Sequence, residues 1–265
     1  MGNVSDRWAA GSTYEDFMGR WSRLLMPEFL AWLNLPAGIH WLDVGCGTGA
    51  LTDAVCRLAE PASVVGCDPS EPFVRYAREN QGSGPASFVV AGVGSLPTRP
   101  GGFGSVTSSL ALNFFPEPDL AVGEMVRISG TGGTVSACVW DYEDGMEPLR
   151  YFWDAVAALD PKAADLDEGL RFPVCRPQAL EKLFRDAGLG DVSCGPIEIA
   201  TEFTDFNEYW QPFLGGTGPA PSYVASLEEE RRLTLAQEIE RALPRRPDGA
   251  ITLTARAWAV RGDAS

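Results

Sequence analysis

An apolar strand signal that runs straight into three closely spaced glycines is the feature that most constrains this fold. The sequence WLDVGCGTGALT at 41–52 places Gly45, Gly47 and Gly49 directly after a short apolar run that contains one acid. Apolar residues then recur at helical spacing from 50 to 60. Glycine lets a backbone bend sharply and lets a ligand approach the chain closely. The segment therefore predicts a strand, a ligand-binding turn and a helix, in that order.

Strand and helix signals alternate across residues 41–140. Further short apolar runs predict strands for SVVGC, SFVVA, GSVTSSLAL and TVSACVW, at 63–67, 87–91, 104–112 and 134–140. A helical pattern precedes the last of these runs, and Gly130, Gly132 and Gly133 are predicted to end that helix. Alternation at this spacing favours an α/β fold with a doubly wound, Rossmann-like parallel sheet.

The rest of the chain indicates that insertions interrupt the core. Residues 141–176 are rich in aromatic and acidic side chains and show no strand signal, whereas 177–189 forms a clear helical pattern. DVSCGPIEIATEF and ITLTARAWAV are typical of two late strands. The predicted parts are an N-terminal helical cover (1–40), a cofactor-binding core (41–140), cap insertions (141–176 and 205–248) and a completion of the core sheet (177–204 and 249–265).

Composition excludes several classes of partner. The formal net charge is −15, and no Lys/Arg cluster supplies the basic face that nucleic acid requires. The sequence contains no window of about 18 apolar residues, so we expect no membrane-spanning helix. The six cysteines contain no C-x-x-C pair, so we expect reduced thiols in a cytoplasmic protein and no metal site. The expected partner is a small molecule, and the oligomeric state stays open.

Two phosphate-containing ligands compete for the glycine turn. An ATP-phosphate loop requires a lysine after the glycines, and none follows here, so this class is excluded. A dinucleotide site is formally satisfied by Gly45, Gly47 and Ala50, with Asp68 at the expected distance. An NAD(P)-dependent oxidoreductase therefore remains an alternative, although no Tyr-x-x-x-Lys pattern supports it.

S-adenosylmethionine is the third candidate ligand and fits more of the pattern. Its loop is G-x-G-x-G with an acid two residues earlier, which Asp43, Gly45, Gly47 and Gly49 match. The glycines let backbone groups reach the amino acid tail, and Asp43 can fix the loop or hold a water on the ammonium group. Asp68, at the end of the second strand, can accept both ribose hydroxyls. S-adenosylmethionine is therefore the expected cofactor.

These segments together resemble the class I S-adenosylmethionine-dependent methyltransferases, in the small-molecule branch that includes the ubiquinone/menaquinone-type enzymes. The resemblance is carried, in the family's order, by LDVGCGTG, VVGCDPSEPFVRYARE, GSLP and LALNFFPEPDLAVGEMVRISGTGG, between residues 42 and 133. It implies a seven-stranded sheet with an antiparallel last strand, capped by helical insertions. It also implies methyltransferase activity, with a protein that binds the cofactor without catalysis as an alternative.

The resemblance also implies where the cofactor binds. The family's Gly-Asp-Ala after the third strand is Ala91-Gly92-Val93 in this chain, so the acid that contacts the adenine is missing and backbone atoms are expected to replace it. The candidate cofactor-binding residues are Asp43, Gly45, Cys46, Gly47, Gly49, Asp68, Pro69, Gly92, Val93 and Ser109.

Aromatic side chains near the expected mouth of the site predict an apolar or aromatic substrate, since rings enclose such molecules and favour the sulfonium cation. The candidate substrate-pocket residues are Tyr14, Met18, Trp21, Asn113, Phe114, Trp140, Tyr142, Trp153, Trp210 and Phe213.

The catalytic groups are less constrained by the sequence. Methyl transfer from a sulfonium is an in-line displacement that depends mainly on alignment and a dry pocket. A general base is needed only for a protonated nucleophile. His40, the single histidine, precedes the first strand and is expected far from the ligand. Asp141 and Tyr142, after the fifth strand, are weak candidates for catalytic residues.

Overall fold

Seven strands organise the chain. The computed structural model describes residues 18–82, 84–215 and 218–265. The strands are β1 (His40–Val44), β2 (Ser63–Asp68), β3 (Ala86–Val90), β4 (Phe103–Ser109), β5 (Ser129–Trp140), β6 (Gly190–Phe203) and β7 (Ile251–Asp263).

Helices connect most of the strands, and short 3₁₀ turns interrupt the loops. The α-helices are α1 (Arg20–Leu33), α2 (Ala50–Leu58), α3 (Glu71–Asn80), α4 (Pro118–Ile128), α5 (Glu147–Leu159), α6 (Glu168–Arg171), α7 (Pro177–Asp186), α8 (Phe206–Trp210), α9 (Pro219–Ser226) and α10 (Glu229–Ala242). The first turns of α3 and α4 each contain a proline and an acid. Proline lacks the amide hydrogen that would have no partner there, and the acid is stabilised by the positive end of the helix dipole.

The strand order is β3-β2-β1-β4-β5-β7-β6. The pairs β1–β2, β1–β4, β2–β3 and β4–β5 are parallel. β7 runs the other way, because Gly132, near the start of β5, donates to Ala264, just past the end of β7. Asp141, just past the end of β5, donates to Arg256, nearer the start of β7. The predicted seven-stranded, Rossmann-like sheet with an antiparallel last strand is confirmed.

Two element boundaries differ from the sequence prediction. The glycines at 130, 132 and 133 lie inside β5 instead of a loop that ends α4. A Cβ on Gly102 would lie 2.3 Å from the Gly130 nitrogen, so the glycines allow two backbones to pack at close range. The ladder accordingly jumps from the pair Phe103–Ser129 to the pair Ser105–Thr134. β4 ends at Ser109 instead of residue 112, because Leu110 leaves the extended conformation (φ 56°).

The chain divides into two compact units. Unit 1 comprises 1–21, 140–173 and 198–256, and unit 2 comprises 22–139, 174–197 and 257–265. Unit 1 contains a cluster of buried rings, with Phe152 stacked on Phe213 at 4.8 Å between centroids. Unit 2 contains the parallel strands β1 to β4 and the helices α2, α3 and α4. Among the described residues, no helix combines the length and apolar character that crossing a membrane requires.

Replacement of Gly66 by alanine is expected to destabilise the protein. Gly66 lies in β2, and a Cβ there would be 2.6 Å from Phe88 Cδ1 and 3.0 Å from Thr52 Oγ1. Because Phe88 is buried, relief requires packed atoms to shift, and overpacking costs about 1–3 kcal/mol. Urea unfolding of Gly66→Ala should give a free energy of unfolding lower than that of the wild type by this amount.

Gly123→Ala is the matched control for this substitution. Gly123 lies inside α4, and an added Cβ would meet no atom within 4 Å. Alanine is a better helix former than glycine, so the free energy of unfolding should rise by about 0.5–1 kcal/mol. Equal stability of the two variants would contradict the close packing of Phe88 on Gly66.

Candidate functional site

The three glycines after β1 all adopt the left-handed backbone conformation. Their φ angles are 74° at Gly45, 52° at Gly47 and 89° at Gly49. Residues with a Cβ rarely occupy this region, so glycine is required at each of the three turns. Gly49 is also the N-cap of α2. The sequence pattern thus corresponds to a tightly wound loop at the carboxyl end of β1.

Unit 2 holds this glycine loop (residues 45–49) from two sides. The amides of Gly45 and Cys46 both donate to the Cys67 carbonyl in β2, at 2.8 and 2.9 Å. On the other side, a Cβ on Gly45 would lie 2.7 Å from Ala111 Cβ and 3.4 Å from the Phe115 ring. The loop that follows β4 therefore packs directly against the glycine loop.

Asp68 connects the glycine loop with the loop after β2. Its Oδ2 accepts the Gly47 amide at 3.0 Å and its Oδ1 accepts the Ser70 amide at 2.8 Å. The carboxyl is buried, which raises its pKa, while the two backbone hydrogen bonds act in the opposite direction. A carboxylate offers about four acceptor positions, so each oxygen can still accept a ligand hydroxyl.

Asp43 carries a buried oxygen without a partner. The Thr52 hydroxyl donates to Oδ2 at 2.8 Å, while no described residue lies within hydrogen-bonding distance of Oδ1. Burial raises the pKa of Asp43 to about 7, against the lowering effect of the Thr52 hydrogen bonds. An unsatisfied buried acceptor costs about 1–3 kcal/mol, so the site is suited to a donor from a ligand.

The third loop of the site follows β3. Ala91 donates to the Asp68 carbonyl at 3.1 Å, and a Cβ on Gly92 would lie 3.7 Å from Pro69 Cβ. A 3₁₀ turn then begins at Val93. The predicted cofactor contacts after β2 and β3 are therefore close neighbours in unit 2.

The remaining predicted cofactor residues flank these loops. Cys46 is buried beside Phe88, Val74 and Ala77, and burial raises its thiol pKa well above the ordinary value. A neutral thiol in such a position packs as a small apolar group. Ser109 is the last residue of β4, so it lies at the same sheet edge as the glycine loop.

This geometry is matched by sequence similarity to a known family. Residues 42–137, which contain the glycine loop, Asp43 and Asp68, match the family described as "Methyltransferase domain". The likeness to a methyltransferase domain thus covers 96 of the 265 residues, and these include the whole glycine loop.

Curated relatives resemble the methyltransferase domain over part of their length. The ubiquinone biosynthesis O-methyltransferase of Methylococcus capsulatus is 33% identical over 158 residues, which cover 58% of this chain and 64% of that protein. The nocamycin O-methyltransferase of Saccharothrix syringae is 36% identical over 176 residues, covering 58% and 60%. The chain thus spans less than two thirds of the length of either relative.

Solved structures share the fold of the methyltransferase domain. The YcgJ protein of Bacillus subtilis aligns with a TM-score of 0.57 at 16% identity, covering 92% of this chain and 98% of that one. Phosphoethanolamine N-methyltransferase 2 of Haemonchus contortus, solved with S-adenosylhomocysteine, aligns with a TM-score of 0.55 at 14% identity, covering 96% and 57%. At these identities the likeness establishes the fold alone.

Several predicted substrate residues meet in unit 1. Met18, Trp21 and Phe213 line one narrow cavity, with room for about one water molecule (about 20 Å³). The Trp210 ring stacks on Phe213 at 5.8 Å. Trp153 lies in the same unit and donates its indole N–H to the buried Glu168. Unit 1 therefore gathers much of the predicted aromatic set.

The other predicted substrate residues fall elsewhere. Asn113 and Phe114 belong to the 3₁₀ turn Leu112–Phe114 of unit 2, after β4. Trp140, at the end of β5, is buried in unit 1. Tyr14 lies outside the described residues.

The candidate catalytic residues have structural partners of their own. Asp141 is buried. Its Oδ2 accepts a hydrogen bond from Arg256 Nε at 2.7 Å and forms an ion pair with Arg256 Nη2 at 2.6 Å. The Tyr142 ring lies 5.8 Å from the Phe172 ring. The ion pair provides a structural role for Asp141, whether or not it also meets a substrate.

Sequence reasoning missed three groups that shape these sites. Thr52 donates a hydrogen bond to Asp43. It is a polar residue on the buried side of α2, and a polar residue among apolar ones on that side could have indicated such a contact. Arg20 lines the unit 1 cavity, lies 4.0 Å over the Trp21 ring and pairs with Glu208 across 188 residues, so no local pattern marks it. Glu168 is buried, and nothing in the sequence around it indicates that burial.

Asp141→Asn should lower the stability of the protein. The change removes the closest carboxylate from the Arg256 guanidinium and leaves Glu198, at 3.7 Å, as its remaining acidic neighbour. Loss of one partner of a fully buried pair costs about 3–5 kcal/mol. Arg256 is 28% exposed, so we expect a loss of about 1–3 kcal/mol in the free energy of unfolding. Urea denaturation measures this loss without requiring a substrate.

Asp144→Asn is the control within the same loop. Asp144 is exposed, so its substitution should change the free energy of unfolding by no more than about 0.5 kcal/mol. An Asp141→Asn protein as stable as the wild type would show that the ion pair contributes little, and the role of Asp141 would then have to be sought in the reaction.

Proposed function

We propose that this protein transfers the methyl group of S-adenosylmethionine to a small, apolar or aromatic metabolite. One observation carries the proposal: three left-handed glycines at alternate positions, 45, 47 and 49, are flanked by a buried carboxylate with a free oxygen and a second carboxylate tied to the loop. A neutral loop without lysine suits a ligand that has a zwitterionic tail in place of phosphates.

The donor sites of the cofactor correspond to the acceptors that the site offers. In our assignment, Asp43 Oδ1 takes the ammonium group of the tail, directly or through water, and Asp68 takes the ribose hydroxyls. The backbone around Gly92 and Val93 reads the adenine edge, where the family's usual acid is missing. The hydrogen-bonding sense of these residues, acceptors facing the cofactor's donors, supports the assignment.

Catalysis in this proposal relies on alignment and exclusion of water. The bound cofactor supplies an activated methyl group, so the protein's own task is to hold the acceptor in line with it. The His40 Nδ1 lies 2.7 Å from Ser63 Oγ, and both residues start their strands, at the opposite end from the glycine loop. An imidazole base therefore has no part in the proposed mechanism.

The apolar character of the substrate is supported by unit 1 and by the relatives' names. Unit 1 contains contacting rings of Phe152, Tyr209, Trp210 and Phe213. Two of the relatives are named ubiquinone biosynthesis O-methyltransferase and demethylmenaquinone methyltransferase, and quinone-type rings are the kind of substrate that such a cluster of rings would enclose. Trans-aconitate 2-methyltransferase is also a relative, at 27% identity, and its name points to a polar acid, so carboxylic acids belong in the substrate panel as the competing class.

A non-catalytic cofactor-binding protein is the second candidate, and the missing adenine-side acid is the observation that favours it. Turnover distinguishes the two functions. A methyltransferase releases S-adenosylhomocysteine when mixed with S-adenosylmethionine and an accepted metabolite, whereas a binding protein releases none with any member of a panel of quinols, phenols and carboxylic acids.

Asp68→Asn should weaken cofactor binding without unfolding the protein. The amide keeps the shape of the side chain but loses the charge and one acceptor oxygen. Hydrogen bonds to charged groups contribute about 1.5–3 kcal/mol, which corresponds to about a 10- to 150-fold loss of affinity. Isothermal titration calorimetry with S-adenosylhomocysteine measures the loss, and circular dichroism verifies the fold.

Asp186→Asn, an exposed change on α7, is the control and should bind S-adenosylhomocysteine like the wild type. NADH is titrated in parallel. Binding of NADH by the wild type in the absence of any binding of S-adenosylhomocysteine would replace the proposal with the oxidoreductase alternative.

The pH dependence of binding should follow Asp43. Because its pKa is raised to about 7 in the folded protein, the free protein gains stability from the protonated form at low pH. The free energy of unfolding should therefore fall as the pH rises from about 4 to about 7. Affinity for S-adenosylhomocysteine should move in the opposite direction and increase through pH 7, because the carboxylate form receives the ammonium group.

Glu168→Gln separates the two effects. Burial raises the pKa of Glu168 to about 7 as well, so both carboxyls contribute to the slope of stability against pH. Asp43→Asn should remove part of that slope and also the pH dependence of binding. Glu168→Gln should remove a second part and leave binding as it is, and Asp68, whose pKa burial also raises, contributes to the slope that remains in both variants. Identical behaviour of the two variants in the binding titration would contradict the role given to Asp43.

A further inference from the structure

Asn113 presents a buried hydrogen-bond donor that the protein itself does not use. The residue is 7% exposed, and no described group lies within hydrogen-bonding distance of its Nδ2. An unsatisfied buried donor costs about 1–3 kcal/mol. A buried amide of this kind needs an explanation, and a ligand that supplies an acceptor is one.

The position of Asn113 points to the tail end of the cofactor site. The residue lies in the turn Leu112–Phe114, between Ala111 and Phe115, the two residues that pack against Gly45. The strand that precedes this turn, β4, is the neighbour of β1, which carries Asp43. Asn113 thus follows the carboxyl end of the strand beside the one that carries the free Asp43 oxygen.

The backbone before Asn113 is held in an unusual conformation. Leu110 has a φ of 56°, which costs a non-glycine residue of the order of 1–2 kcal/mol, and its amide donates to the Cys138 carbonyl at 2.8 Å. This turn directs the chain so that Ala111 contacts Gly45. A strained turn held by a strand hydrogen bond is typical of segments that position functional groups.

The amides of the glycine loop are largely committed within the protein. Gly45 and Cys46 donate to Cys67, Gly47 donates to Asp68, and Gly49 donates to Cys46. A carboxylate ligand beside them needs a donor from elsewhere. It also needs one that offsets the two acids of the site, since like charges at short range repel.

We infer that Asn113 Nδ2 donates a hydrogen bond to the carboxylate of the amino acid tail of S-adenosylmethionine. This inference rests on the proposed function and assigns Asn113 to the cofactor instead of the substrate pocket. Asp43 Oδ1, an acceptor, and Asn113 Nδ2, a donor, then match the two ends of one zwitterion. The two unsatisfied atoms have opposite hydrogen-bonding sense, as an ammonium and a carboxylate require.

Two nucleosides that differ in the tail test this contact. S-adenosylhomocysteine carries the amino acid, whereas 5′-methylthioadenosine keeps the adenosine and sulfur and lacks the amino acid. In Asn113→Leu, calorimetry should show S-adenosylhomocysteine bound at least about tenfold more weakly, as expected for a hydrogen bond to a charged group. Binding of 5′-methylthioadenosine should stay within about twofold of the wild type.

Asn113→Asp keeps the side-chain shape and adds a repelling charge, so it should weaken S-adenosylhomocysteine further than leucine does. It also provides the same comparison if the leucine variant fails to fold. Ser108→Ala is the control. Ser108 lies in β4, and its buried hydroxyl has no hydrogen-bond partner among the described residues. Thr107 is the register partner of Asp43, and successive side chains of a strand point to opposite faces of the sheet. The Ser108 side chain therefore lies on the face of the sheet opposite to Asp43.

The control should bind both nucleosides like the wild type. Equal losses for the two nucleosides in Asn113→Leu, or no loss for either, overturn the inference and leave the proposed function standing. A wild-type protein that binds no S-adenosylhomocysteine overturns the proposed function, and this inference with it.

Discussion

The carboxylate of Asp68 is the interaction on which the site depends. It accepts the Gly47 amide with one oxygen and the Ser70 amide with the other, so a single side chain fixes both the glycine loop and the turn that leads into α3. Hydrogen bonds to a carboxylate are stronger than those between neutral groups. The left-handed turns at the glycines thereby gain a support that the loop's own sequence does not supply.

Close backbone packing is the second constraint, and it follows from the first. A loop held at this position brings Gly45 so near Ala111 that a Cβ would not fit between them. The segment after β4 reaches the loop through the left-handed turn at Leu110. Glycine at position 45 and strain at position 110 are therefore two consequences of one close approach, made by neighbouring strands of the sheet.

The extent to which the sequence predicts this molecule depends on the range of the interactions. The alternation of strands and helices, the glycine loop and the positions of Asp43 and Asp68 in or at the end of their strands follow from local patterns, because each depends on residues within one strand–turn–helix unit. The start of β5 was missed because glycines signal a turn locally, while here Gly130 allows a close approach to Gly102, just before β4. The Asp141–Arg256 pair joins residues 115 positions apart, and neither residue's surroundings in the sequence indicate the other.

Buried polar atoms without hydrogen-bond partners affect both the stability of this fold and its proposed binding of the cofactor. Asp43 Oδ1 and Asn113 Nδ2 each reduce the stability of the ligand-free protein, since neither recovers the hydrogen bonds that water supplies in the unfolded chain. Replacing both with apolar groups would favour folding and abolish the polarity that distinguishes one ligand from another. Under the proposed function, a zwitterionic tail satisfies both atoms at once. Cofactor binding would then stabilise the fold by the same contacts that give the site its selectivity.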